Sequence, residues 1–77
     1  MLTYHINSKG ILPMYEQLYR SIREDIINGV ISGGEKLPSK RKLAEHLKIS
    51  QITVENAYSQ LLAEGYIISK PRSGYYA

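Results

Sequence analysis

A chain of 77 residues with no cysteine excludes a disulfide framework and a cysteine-based zinc site, and it supports one small core in which only about 60% of the unfolded surface is buried. Hydrophobic residues at 43% and charged residues at 22% fit a globular domain, and no apolar run approaches the ~20 residues that span a bilayer. The net charge of +3 and pI near 9.3 fit a nucleic-acid partner, but the placement of the charge says more than its sum.

From the N-terminus, "MLTYHINSKG" lacks the apolar centre of a signal peptide, so a soluble, unprocessed protein in a reducing cytoplasm is expected. Residues 1–12 alternate apolar and polar and read as an extended arm, and the domain proper is expected over 13–77. Pro13 suits the first turn of a helix. From Met14 to Asn28, Tyr15, Leu18, Tyr19, Ile22 and Ile26 keep helical spacing, with Glu16, Arg20, Arg23 and Glu24 opposite, and Gly29 closes the helix. The following "VISGGEKLP" carries paired glycines and a proline, which predicts a turn and a brief strand.

Ser39 precedes "KRKLAEHLK" as an N-cap, with Leu43, Ala44 and Leu47 facing inward. Ser50 repeats the device three residues after Leu47. Val54, Ala57, Tyr58, Leu61 and Leu62 then form an i, i+3, i+4, i+7, i+8 stripe that ends at Gly65. Two short capped helices joined by a tight turn that buries Ile49 make a helix-turn-helix, whose second member is presented to a groove. "YIISK" and "GYYA" flank "PRS" as two short strands around a basic turn, with one of Tyr75 and Tyr76 packing inward. Three helices followed by a hairpin give a mainly α fold with a small two- to three-stranded wing, the winged helix-turn-helix.

The run "LPSKRKLAEHLKISQITVENAYSQLLAEGYIISKPRSGYYA" resembles the DNA-binding domain of GntR-type bacterial transcriptional regulators. "LPSKRKLAEHL", "TVENAY", "LLAEGY" and "RSGYY" together are most similar to the MocR branch. In that branch such a domain precedes a large aminotransferase-like domain that binds pyridoxal phosphate. The resemblance therefore implies the N-terminal part of a longer regulator, with no cofactor in this chain. It implies a homodimer for the full-length protein through contacts mainly in the other domain, and a monomeric or weakly associating fragment. It also implies DNA contacts from Arg41, from Ser50, Gln51, Ile52, Thr53 and Glu55, and from Arg72 and Ser73. This chain departs from the family at Gln51, where relatives usually carry Arg, and at Glu55, where many relatives outside the branch do.

The residues support a division of labour on their own terms. No Lys or Arg stands between Ile49 and Ser69, so the charge that attracts DNA must come from Lys40, Arg41 and Lys42 before the reading helix and from Lys70 and Arg72 after it. Cations in a first helical turn oppose the helix dipole by a few tenths of a kcal/mol each, a mismatch that a phosphate partner would offset. Ser50 caps the third helix whether or not DNA is bound. Gln51, Ile52, Thr53, Glu55 and Asn56 lie off the buried stripe and are expected to be exposed. Gln and Asn can pair with adenine, Glu can accept from cytosine N4, and Ile fits a thymine methyl. His46 is read as a packing or solvent-edge residue rather than a metal ligand, and Tyr15, Tyr19 and Tyr58 as core residues with a hydroxyl at the rim. Sequence-specific duplex binding for transcriptional control is the expected function. A winged helix used for RNA or protein contact is the alternative. An enzyme is excluded by the absence of a plausible triad, a cysteine nucleophile or a phosphate-cradling glycine loop.

Overall fold

Helix α1 (Met14–Ile27) starts at Pro13, whose carbonyl accepts the amides of Glu16 and Gln17 at 3.1 Å each. Glu16 favours the positive end of the helix dipole and pairs one turn on with Arg20 at 2.9 Å. Leu18, Tyr19 and Ile22 are buried, whereas Tyr15 and Ile26 at the stripe's margins are only half-buried. The structure is a computed structural model that describes residues 2–77.

Helix α2 (Lys40–Leu47) and helix α3 (Gln51–Ala63) begin where their caps place them. Ser39 Oγ accepts the Lys42 amide at 3.2 Å and Ser50 Oγ accepts the Thr53 amide at 3.1 Å. Lys48 ends α2 in the left-handed region (φ 58°), and the amide of Ile49 reaches back to the Ala44 carbonyl at 3.0 Å. Ile49 is half-buried rather than buried, because the turn leaves one side of it open to solvent. Gly65 (φ 79°) ends α3 in a paired 5→2 and 6→1 arrangement: its amide donates to Leu62 O at 3.1 Å and the Tyr66 amide to Leu61 O at 3.0 Å. α3 packs on both α1 and α2, so Val54, Ala57, Tyr58 and Leu61 form the centre of the core.

Strands β1 (Ile68–Lys70) and β2 (Gly74–Tyr76) pair antiparallel in the register Ile68↔Tyr76, Ser69↔Tyr75 and Lys70↔Gly74. The connector after α1, expected to carry a brief strand, contributes a single bridge to the hairpin instead. Lys36 bridges Tyr76, the Leu37 amide donates to Tyr75 O at 2.8 Å, and the Ala77 amide donates to Glu35 O at 2.9 Å. Of the two wing tyrosines, Tyr75 turns inward and meets Tyr58 edge-on at 5.1 Å between ring centroids.

Ahead of α1, residues 2–7 form neither helix nor strand, and Leu2, Tyr4 and Ile6 turn alternately onto the core. The segment is fastened at three places. Tyr4 Oη donates to Asp25 Oδ2 at 2.7 Å, Thr3 Oγ1 lies 2.9 Å from His46 Nε2, and the Gln17 amide exchanges hydrogen bonds with the backbone of Asn7 at 2.8 and 2.9 Å. His46 is exposed and stands at the solvent edge against the Thr3 hydroxyl.

Candidate nucleic-acid interface

The exposed face of α3 follows from its buried one. With Val54, Ala57 and Tyr58 turned into the core, Gln51, Ile52, Glu55 and Asn56 are left in solvent. Ile52 is 64% exposed, one of several apolar side chains in solvent, and is available for apolar contact on this face. Thr53 differs from its expected exposure: it is half-buried, and its Oγ1 lies 2.7 Å from Ser50 Oγ. Its hydroxyl is hydrogen-bonded to that of the capping Ser50.

Positive charge flanks that face. Arg41 and Lys42 are exposed, and neither forms an ion pair among the described residues. Lys40 is different, with its Nζ 3.9 Å from Glu55 Oε2 and 5.7 Å from the centroid of the Tyr75 ring. On the wing, Lys70 lies over the Tyr76 ring at 4.5 Å, and Ser73 Oγ is hydrogen-bonded to Tyr76 Oη. Arg72 stands exposed at the tip with φ 63°, preceded by Pro71, a residue favoured at the second position of a tight turn whose third residue is left-handed.

The start of α2 and the wing meet in one groove, where Lys36, Ser39, Lys42 and Ser73 stand beside the acidic Glu35 and the apolar Leu2, Leu37 and Tyr75. Lys36 is not among the cations that the sequence places before and after the reading helix. Its place beside the wing comes from pairing with Tyr76, and Gly74 (φ 133°) makes room for it, since a Cβ there would stand 3.3 Å from Lys36 Cε. Neither α2 nor α3 carries an acidic residue in its first turn, whereas α1 does. The positive ends of both helix dipoles are therefore left without an internal counter-charge, as a site for anions requires.

Residues 14–76 match the family described as bacterial regulatory proteins, gntR family. The chain belongs to the gntR family. Among curated members it is 57% identical over 76 residues to YdeL, an HTH-type transcriptional regulator of Bacillus subtilis, covering 99% of this chain and 16% of YdeL. It is 43% identical over 63 residues to the probable rhizopine catabolism regulatory protein MocR of Rhizobium meliloti, covering 82% of this chain and 13% of that protein. Among solved structures, YtrA of Sulfolobus acidocaldarius, a GntR-family transcription factor, superposes with a TM-score of 0.88 at 38% identity over 94% of this chain and 76% of its own. The DNA-binding domain of AraR in complex with operator ORR3 superposes with a TM-score of 0.80 at 25% identity, over 99% of this chain and 92% of its own. This gntR chain is accordingly a winged-helix DNA-binding domain of a transcriptional regulator, and it spans about a sixth or less of the length of YdeL and MocR. No helix among the described residues is long and apolar enough to cross a membrane.

Proposed function

We propose that this gntR domain binds duplex DNA by placing the N-terminal half of α3 in the major groove, with phosphate contacts from the start of α2 on one side and the wing on the other. The observation that carries the reading is the exposed, cation-free face of α3. Gln51, Ile52, Glu55 and Asn56 can discriminate base edges but add no general affinity, and Arg41, Lys42, Lys70 and Arg72 flank them with charge to spare. The likeness to the AraR domain, whose structure is a complex with operator ORR3, supports duplex DNA as the partner. Recognition of this kind rests on hydrogen bonds, apolar contact and charge, and needs no cofactor.

In the whole regulator we place this domain in the cytoplasm, as part of a homodimer that reads two half-sites, with the isolated domain monomeric and weakly binding. The likeness to the MocR branch supports a pyridoxal-phosphate domain elsewhere in that regulator.

A selection of binding sites from random duplexes tests the reading. Gln51→Ala should relax preference at one or two base pairs with the salt slope unchanged. Arg41→Ala should weaken every duplex alike and lower the slope of log K against log salt by about 0.9. Equal losses on all sequences for both variants would refute it.

A further inference from the structure

The three cations that open α2 are equivalent in sequence and unequal in space. Arg41 and Lys42 point into solvent without an ionic partner among the described residues. Lys40 is held between two elements, its Nζ 3.9 Å from the Glu55 carboxylate of α3 and 5.7 Å from the Tyr75 ring of β2. That ring is itself fixed, edge-on against the buried Tyr58 and with its backbone carbonyl taking the Leu37 amide at 2.8 Å. Stability does not account for the arrangement. The side chains are 29% and 49% exposed, a setting in which an ion pair contributes about 0–1 kcal/mol, and a cation in a first turn opposes the helix dipole.

A bare carboxylate on a face that approaches DNA is repelled by the phosphates. A carboxylate whose charge is balanced by a neighbouring ammonium can still accept a hydrogen bond from a base amino group. We infer that Lys40 is a positioning residue for base recognition: it neutralises Glu55 and fixes the direction of its carboxylate toward a base amino group, and it does not serve as a phosphate anchor. This rests on the docking proposed above. It makes the wing, through Tyr75, a support for the reading helix as well as a contact in its own right.

The test is a double-mutant cycle with Lys40→Met and Glu55→Gln on the selected duplex, recording affinity, salt slope and base preference, with Lys40→Arg as the conservative control. Both side chains are partly exposed, and thermal midpoints of all variants confirm folding. Lys40→Met is expected to weaken binding about tenfold in the wild-type background and less than about twofold beside Glu55→Gln. It should alter preference at the same base pair as Glu55→Gln and shift the salt slope by well under the ~0.9 of one phosphate contact. Lys40→Arg should retain the preference. Equal losses in both backgrounds, with the slope lower by about 0.9, would make Lys40 an ordinary phosphate anchor and overturn the inference while leaving the docking intact. Unchanged preference in Glu55→Gln would overturn it through Glu55, and salt-independent duplex binding by the wild-type domain would remove the docking itself.

Discussion

Among the described residues two that are not glycine, Lys48 and Arg72, adopt the left-handed backbone region, which costs an L-residue about 1–2 kcal/mol. For Lys48 a compensation is visible, since a cation at the C-terminus of α2 faces the negative end of its dipole. Arg72 has none: it is exposed at the wing tip and pairs with no acid among the described residues. A sequence chosen for stability would carry Asn or Gly there. Arg72→Asn should therefore leave stability unchanged or raise it by about 0.5 kcal/mol, while affinity for all duplexes falls and the salt slope drops by about 0.9. Urea midpoints and a salt titration separate the two effects. A loss of stability with no change in slope would show that Arg72 serves the fold.

At the scale of the element, what was legible in the sequence was local. Ser39, Ser50 and Gly65 mark helix ends through bonds that reach no further than four or five residues, and all three appear where the spacing puts them. Contacts spanning many residues were not legible. The pairing of Lys36 with Tyr76, the Tyr19 phenol on Glu64 and the Lys40 to Glu55 contact depend on how helices cross, which periodicity does not encode. The exposed α3 face was readable because the buried stripe fixes it, yet Thr53 was not, since its hydroxyl is hydrogen-bonded to that of the capping Ser50. The caps also allow stability and binding to be pulled apart. Asp caps a helix about as well as Ser and would face the unneutralised dipole and the three cations of the first turn of α2. Ser39→Asp should raise stability by about 0.3–1 kcal/mol and weaken duplex binding about tenfold, the ~1.4 kcal/mol expected of an anion set near phosphate. Thermal midpoints and binding isotherms on one preparation check both signs.

Across the whole molecule, phenol hydroxyls join the elements. The sequence has seven Tyr and neither Phe nor Trp, and three of those hydroxyls sit at joints. Tyr4 ties the N-terminal segment to Asp25 of α1, Tyr19 ties α1 to Glu64 at the end of α3, and Tyr58 ties α3 to the Pro38 carbonyl of the connector at 2.7 Å. Burial first, and then the bond to Asp25, push the Tyr4 phenol up. Burial does the same for Tyr58, and the bond to Glu64 does it for Tyr19. The same bond, followed by that from Gln60, holds the Glu64 carboxyl below its ordinary range. A phenol whose folded value is raised contributes stability that is fully present below its unfolded value of 10.0 and is lost as pH rises through the folded one. For Glu64 the sign is reversed, with its contribution present above the ordinary carboxyl value and lost as pH falls through the depressed one. Stability should therefore fall in alkali, because opening the chain lets these phenols ionise at their ordinary value, Tyr4 and Tyr58 contributing more than the solvent-screened Tyr19. Urea midpoints followed upward from neutral pH should show this fall, with tyrosinate absorbance rising in the same transition. Tyr4→Phe should make the fall shallower, since it removes one raised phenol while keeping the ring on the core. An alkaline limb of unchanged steepness in that variant would show that Tyr4 gives up its proton before the domain unfolds.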